Sequence, residues 1–365
     1  MTALSQRLRA LLATTPGRIL AGVVVLAIIA VAVAVGTSGS APKRVVQAAP
    51  SAPESPTPTP TPTPTPSPVF NGDPLTGADA KAAGPIVAIK VDNERLARPY
   101  QRGLDRAAVI YQELMEGGAT RFAAMYEGPQ DMEVGPIRSA RESDLELFAQ
   151  YGRVVLGFSG ANRGVLAAVD KANVIGVAND RNSAPFRAGE HRSDANNFFT
   201  TPTKLIGAAG PGAVGPQDIG LRFGPLPDGL GTPAGGGNAV FPFGGSSSSF
   251  AFDQGSNSWP LAQDGRPMSL VGGGRVAPAN VIVQTVDAKV SGYRDVLGAV
   301  TPYTVTVGTG PVVVFRDGKQ IAGTWSRPDP AGGTHFLDPA GKDIPLRQGQ
   351  TVILLLPREG SFTPS

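Results

Sequence analysis

The sequence predicts an α/β N-terminal domain, a mixed sheet with helices, followed by an all-β C-terminal domain. Both would follow a single N-terminal transmembrane helix and a Pro/Thr-rich linker. Three observations predict this order. An uncharged apolar run covers residues 19–36, apolar runs alternate with helical patterns up to residue 206, and helical patterns vanish after about residue 238. Alternating strands and helices are typical of α/β layers, whereas short strands without helices indicate a sandwich or barrel.

The predicted segments follow from these shifts in composition. They are a cytoplasmic N-terminus (1–18), a transmembrane helix (19–36), a Pro/Thr-rich linker (37–69), an α/β domain (70–206), a Gly/Pro-rich connection (207–237), an all-β domain (238–357) and a tail (358–365).

The apolar run at residues 19–36 has the length of a membrane-spanning helix. As a helix it would span roughly 27 Å, close to the hydrocarbon core of about 30 Å. Three arginines precede it, so the positive-inside rule places the N-terminus in the cytoplasm and the rest outside the membrane. We therefore expect a signal anchor. A cleaved signal peptide is the alternative, although its apolar region is usually shorter.

The linker contains the repeat TPTPTPTPTPSP within residues 50–68. Proline holds such a segment near polyproline II, at about 3.1 Å per residue, so this part reaches roughly 60 Å. We interpret it as a stalk between the membrane and the folded part. Alternating threonine and proline also suits O-glycosylation, and the sequence leaves a glycosylated stalk and an inert spacer equally open.

Composition excludes several functional classes. The absence of cysteine excludes disulfides, thiolate catalysis, cysteine-based zinc sites and a lipid-modified cysteine in this sequence. The net charge of +3 comes from the N-terminal segment, because the chain from Phe70 onward is close to neutral. No nucleic-acid partner is therefore predicted. The two histidines, His191 and His335, fall in different predicted domains, so no metal site is expected, and no cofactor motif is present.

Apolar runs bounded by turn residues mark the strands of the first domain. A Gly117-Gly118 turn joins its two central strands. The predicted strands are Pro85–Asp92, Val109–Met115, Phe122–Tyr126 and Val154–Phe158, and the predicted helices are Glu142–Tyr151 and Val165–Lys171.

Short apolar runs recur throughout the second domain. Asp317-Gly318 lies between Val312–Phe315 and Gln320–Ile321 and is a two-residue hairpin signal. The predicted strands are Ala239–Phe243, Ser249–Phe252, Asn280–Val286, Tyr303–Val307, Pro311–Phe315, Thr324–Trp325 and Thr351–Leu356.

Charged side chains gather at the ends of the two central strands, where α/β proteins usually place binding chemistry. Arg138, Ser139 and Arg141 precede the predicted helix at Glu142, so helix N–H groups and two guanidinium groups could hold a phosphate or carboxylate. Alternatively, the arginines neutralise Glu113, Glu116 or Asp144 inside the protein. One of the two glutamates, Glu113 or Glu116, is expected to pair with Arg121 or Arg138. The candidate ligand-binding residues are Glu113, Glu116, Arg121, Arg138, Ser139, Arg141, Arg181, Asn196 and Asn197.

Catalysis is the less favoured interpretation. Glu113 and Glu116 suggest the carboxylate pair of a glycosidase. Positions three apart on a strand point to opposite faces, however, so only a bend near Gly117 would bring both into one pocket. The sequence Gly157–Ala161 resembles a nucleophile elbow but lacks its last glycine. No catalytic residue is assigned.

Several stretches resemble the YerB-like family of bacterial lipoproteins, a domain of unknown function with paired N-terminal and C-terminal domains. The resemblance implies an extracytoplasmic location and a two-domain layout, and it brings no activity. Related proteins are often lipid-anchored through a cysteine, which this sequence lacks, and Asn196 stands where the family pattern carries histidine. The stretches are VDNERLARPYQRGLDRA (91–107), VIYQELMEGGATRF (109–122), VGPIRSAR (134–141), NVIVQ (280–284), VGTGPVVVFRDGKQIAGTW (307–325) and LRQGQTVILLLP (346–357).

The sequence thus predicts a membrane-anchored, extracytoplasmic cell-envelope protein. It would contact the membrane through its N-terminal helix and bind an anionic wall polymer or an envelope protein through an arginine-lined cleft in the α/β domain. The alternative function is a cell-wall glycan or peptidoglycan hydrolase that uses Glu113 or Glu116. A third possibility is a structural module that binds partners along the edges of its β domain.

Overall fold

A twelve-stranded mixed sheet runs through both halves of the chain. The computed structural model describes residues 72–79, 82, 84–189, 197–295 and 298–365. The predicted cytoplasmic segment, the membrane helix, the whole linker and Asn196 lie outside these residues. Within the described ranges, no helix combines the length and the apolarity needed to span a bilayer.

In its described residues, the first half contains seven strands and three α-helices, with 3₁₀ turns at Arg98–Tyr100, Leu104–Arg106 and Glu116–Gly118. The strands are β1 (Ile86–Asp92), β2 (Val109–Leu114), β3 (Thr120–Glu127), β4 (Val154–Phe158), β5 (Val174–Ala178), β6 (Arg187–Ala188) and β7 (Phe198–Phe199). The helices are α1 (Glu142–Ala149), α2 (Arg163–Val169) and α3 (Pro202–Ala209).

In the second half, the described residues form strands and no helix. They are β8 (Thr232–Pro233), β9 (Gly236–Val240), β10 (Ser247–Ala251), β11 (Leu261–Gln263), β12 (Arg266–Pro267), β13 (Asn280–Arg294), β14 (Val300–Val305), β15 (Gly308–Arg316), β16 (Lys319–Arg327), β17 (His335–Leu337), β18 (Thr351–Pro357) and β19 (Ser361–Pro364).

The large sheet has the strand order β17-β16-β15-β13-β18-β2-β3-β1-β4-β5, with β14 paired to β13 and β8 paired to β16. Its two halves meet where β18 runs parallel to β2, so that Thr351 lies opposite Val109 and Leu354 opposite Gln112. The sequence suggested an α/β part and a separate all-β part. The order of element types agrees with that prediction, but the strands of both parts belong to one sheet.

Layers on both faces bury the central strands. Every residue of β1, β2, β4 and β18 is buried. Because both faces of these strands are covered, their sequences are continuous apolar runs rather than alternating apolar and polar residues. On one face, Ile86 and Ala88 of β1 pack in a core with Leu147 and Phe148 of α1. On the other face, β1 shares a core with β9, β10 and β11, which belong to a second sheet of order β12-β11-β10-β9-β19.

The predicted strands and helices are largely confirmed, with differences at their ends. The Asp317-Gly318 turn joins β15 to β16, and both residues have positive φ, 49° and 69°, as a type I′ hairpin turn requires. Strand β13 is longer than predicted because it continues beyond its pairing with β15 and β18 and pairs there with β14. The segment 358–365, predicted as a tail, instead contributes β19, which pairs with β9.

Strand β19 should contribute measurably to stability. Phe362 stacks on Phe250, with ring centroids 6.4 Å apart, and meets Phe315 edge-on at 5.8 Å. We expect Phe362→Ala to lower the free energy of unfolding by about 1.5 kcal/mol, the low end of the value for burying an aromatic side chain. Urea denaturation measures this change, and Ser361→Ala, at an exposed neighbour, is the control. Equal stabilities of both variants would contradict the docking of β19.

Candidate functional site

Charged residues lie together where β1 and β2 end and β3 begins. Antiparallel pairing places Arg121 of β3 opposite Asp92 of β1 and opposite Glu113 of β2. Side chains two residues apart share a face of the sheet, so Lys90, Asp92, Glu113 and Arg121 all lie on the face that α1 covers. The strand ends therefore bring acidic and basic groups together in a largely buried setting.

Lys90 is the centre of this arrangement. Its side chain is fully buried, and its Nζ lies 3.0 Å from Glu113 Oε1 and 2.6 Å from Asp144 Oδ1 of α1. Both carboxylates are also almost completely buried. A buried ammonium group needs such partners because desolvation would otherwise make its charge very costly.

One of the two carboxyl groups around Lys90 holds a proton near neutral pH. Burial raises the pKa of Glu113 to about 8, with Lys90 opposing and Asp144 adding to the rise. A protonated Glu113 spares the triad a second buried negative charge, so the triad differs from a pair of free carboxylates.

Asp144 connects this buried triad to the surface. While Oδ1 accepts a hydrogen bond from Lys90, Oδ2 accepts one from the backbone N–H of Arg141 at 2.7 Å. Arg141 is the N-cap residue of α1 and Asp144 its third helical residue, so the carboxylate also caps the helix. The position of Arg141 thus depends on the buried lysine.

Arg141 forms a two-point ion pair with Glu116. Its Nε and Nη2 lie 3.0 and 2.8 Å from the two carboxylate oxygens of Glu116. Thr301 of β14 donates a further hydrogen bond to Glu116 Oε1 at 2.7 Å. Gly117 has a φ of 64°, and this bend turns Glu116 back toward α1. The second half of the chain therefore completes this part of the site.

Arg138 lies between two carboxylates of unequal exposure. Its Nε is 3.2 Å from Asp92 Oδ2, and its Nη2 pairs with Glu94. The Asp92 side chain is 0% exposed, whereas that of Glu94 is 41% exposed. Burial raises the pKa of Asp92, and the charge of Arg138 opposes that rise. Asp92 Oδ1 also accepts the Glu94 backbone N–H at 2.8 Å.

Arg121 is the most enclosed of the three arginines, with 3% exposure. It donates to the carbonyl oxygen of Ser139 at 3.1 Å, and its Nε has no hydrogen-bond partner in the part of the chain that the structure describes. Burial and the charges of Arg141 and Arg138 together lower its pKa to about 10, while the charges of Asp92 and Glu116 oppose this fall. Arg121, Arg138 and Arg141 are called the arginine cluster below.

A surface cavity of about 470 Å³ adjoins the cluster. Glu94 and Glu116, the counter-ions of Arg138 and Arg141, both line it. The arginine cluster therefore borders the cavity through its two glutamate counter-ions. The lining residues are Glu94, Arg95, Leu96, Arg98, Glu116, Ala119, Ser246 and Asp264.

The remaining predicted site residues lie elsewhere. Arg181 pairs with Asp170, and both side chains are about half exposed. Asn197 is buried beside Gly189, next to the small β6–β7 ribbon. Ser139 contributes its carbonyl oxygen rather than its side chain to Arg121. Asn196 lies outside the described residues.

The expected ion pairs are partly wrong. Glu113 or Glu116 was expected to pair with Arg121 or Arg138, but Glu113 pairs with Lys90 and Glu116 with Arg141. The alternative, that an arginine neutralises Glu116, is confirmed for Arg141. Sequence reasoning missed Lys90, Glu94 and Thr301. A lysine within the apolar run PIVAIKVD was the available signal for Lys90, because a buried lysine requires acidic partners.

The triad predicts a specific response to mutation and to pH. Lys90→Met should cost roughly 3–5 kcal/mol, because it leaves two buried carboxyl groups without their cation. Glu113→Gln imitates the neutral form and should cost much less. Since Glu113 has a raised pKa when folded, the folded state retains a proton that the unfolded state releases, and stability falls as pH rises from about 4.5 to 8.

Urea denaturation of the wild type and Glu113→Gln across this pH range measures that dependence. The variant should show a shallower fall. Some slope should remain, because burial, aided by Asp73, also raises the pKa of Glu127 to about 8. Parallel pH profiles would contradict a protonated Glu113, and Lys90→Met as stable as Glu113→Gln would contradict the triad.

Comparisons with known proteins identify the family. The model described as "Protein of unknown function (DUF3048) N-terminal domain" matches residues 72–212, and the model of its C-terminal domain matches residues 239–353. "Putative lipoprotein YerB" of Bacillus subtilis (strain 168) is 46% identical over 56 residues, a segment that makes up 15% of this chain and only 17% of that relative.

The crystal structure of YerB protein from Bacillus subtilis superimposes with a TM-score of 0.66 at 20% identity, covering 80% of this chain and 98% of that one. At this identity the likeness concerns the fold alone. The two family matches together cover more than half of the chain. This protein belongs to the DUF3048 family, to which the YerB-like resemblance in its motifs had pointed.

Proposed function

We propose that this protein is anchored at a membrane, with its folded part in the cell envelope, and binds an anionic envelope component through the arginine cluster. The relative YerB is named a lipoprotein, and lipoproteins are held at a membrane by an acylated cysteine. This sequence has no cysteine. In the proposal, the uncharged run at residues 19–36 takes the role of anchor, and the Pro/Thr-rich linker holds the folded part away from the lipid.

The observation that carries the binding proposal is the state of Arg121. Among the described residues, no carboxylate forms an ion pair with it, although it is almost completely buried. Two further arginines lie near enough to lower its pKa. A concentration of guanidinium groups with incomplete local pairing favours an anion, and guanidinium groups bind carboxylates and phosphates through paired hydrogen bonds.

The hydrolase alternative finds less support in the geometry. A general acid needs both a raised pKa and access to the substrate. Glu113 has the raised pKa but is 1% exposed. Glu116 lines the cavity, but its hydrogen bonds from Arg141 and Thr301 outweigh burial and lower its pKa. Neither glutamate combines both properties, so we favour binding over hydrolysis.

Binding of polyanions by the full chain in detergent tests this proposal. We expect Arg138→Ala/Arg141→Ala to bind polygalacturonate or polyphosphate at least tenfold more weakly than wild type, because each lost charge-assisted hydrogen bond is worth about 1.5–3 kcal/mol. Calorimetric titration measures Kd. Binding should weaken as salt increases, and neutral dextran should not bind.

Arg181→Ala is the matched control, since it also removes an arginine from an ion pair but at an exposed position. It should bind as wild type does. Circular dichroism and thermal denaturation establish that the double variant remains folded. If both variants bound the polyanions with equal affinity, the arginine cluster would not be the binding site.

A further inference from the structure

The counter-ions of the arginine cluster differ in how easily a ligand could replace them. Glu116 is held by two bonds from Arg141 and one from Thr301, and its side chain is 13% exposed. Asp92 is fully buried. Glu94 is 41% exposed, so it meets solvent far more than the other two.

The contacts of Asp92 keep it in place. It lies at the end of β1, within hydrogen-bonding reach of Arg138 Nε, and its other oxygen accepts the backbone N–H of Glu94. Removing Asp92 from Arg138 would leave a buried carboxylate without its cation, which is strongly unfavourable. Glu94 has no such constraint, because water can solvate its carboxylate when it leaves Arg138.

The cavity beside Glu94 provides space for a ligand. It measures about 470 Å³ and is lined by Arg95 and Leu96 as well as Glu94. Leu96 is 75% exposed, and Arg95 is exposed beside it. A ligand group that reached Arg138 would therefore have a cationic and an apolar side chain next to it.

Arg138 faces two carboxylates, those of Asp92 and Glu94. Displacing Glu94 into solvent removes one of these two negative charges from Arg138. A ligand anion at the vacated position replaces it.

We infer that Glu94 is a displaceable internal counter-ion, and that a ligand carboxylate takes its place on Arg138. The position already accommodates a planar group with two oxygens, since a glutamate carboxylate occupies it. A ligand carboxylate fits that position without rearrangement of Arg138, whereas a tetrahedral phosphate is larger. This inference rests on the proposed function and specifies its ligand class: a carboxylate-bearing polymer.

Replacing Glu94 with glutamine tests the inference, because glutamine keeps the size of the side chain and removes the competing charge. We expect the full-length Glu94→Gln variant in detergent to bind polygalacturonate about tenfold more tightly than wild type. The gain for polyphosphate should be smaller. Calorimetric titration at one fixed salt concentration measures both affinities.

Glu133→Gln is the matched control, since Glu133 also pairs with arginines, Arg102 and Arg187, and is similarly exposed. It should leave both affinities unchanged. A second measurement uses thermal denaturation. Polygalacturonate should raise the melting temperature of Glu94→Gln more than that of wild type, because the ligand supplies the missing carboxylate.

Each outcome distinguishes this inference from the proposed function. If Glu94→Gln bound no more tightly than wild type while Arg138→Ala/Arg141→Ala lost binding, displacement of Glu94 would be wrong and the arginine site would stand. Equal gains for polygalacturonate and polyphosphate would overturn the choice of a carboxylate. If wild type bound neither polymer under any salt condition, both proposals would fall.

Discussion

The buried ammonium group of Lys90 is the constraint on which the rest of the site depends. A lysine in the middle of a strand covered on both faces must find carboxylates, and it finds Glu113 on β2 and Asp144 on α1. Asp144 in turn fixes the backbone of Arg141. Strand, helix and surface arginine are therefore linked through one charge that has no access to water.

The site also depends on contacts between the two halves of the chain. Strand β18 lies between β13 and β2, so the sheet that carries the charged strand ends is completed by residues far away in sequence. The same half supplies Thr301 to Glu116, and Ser246 and Asp264 to the cavity. The arginine cluster is thus a property of the complete fold, although its arginines all belong to the first half.

These two features explain why we propose this internal network as a binding site. Most of its charges are compensated by buried partners that cannot leave without a large cost in free energy. At the surface, the arginines form ion pairs with glutamates that water can reach. In a polar network of this kind the buried partners are fixed, whereas the exposed counter-ions can be exchanged. This is the arrangement expected of a preorganised site for an anion.

The sequence by itself determined the main strands, the first helix, the Asp317-Gly318 hairpin and the family, because these depend on local periodicity, turn residues and contiguous motifs. It also placed Glu116, Arg121, Arg138 and Arg141 near one another, since strand ends gather at one sheet edge. Only the tertiary structure decided that both halves share one sheet, that Lys90 rather than an arginine contacts Glu113, and that Glu94 contacts Arg138. Such pairings join residues distant in sequence, and no local pattern of residues encodes which partner a buried charge will meet.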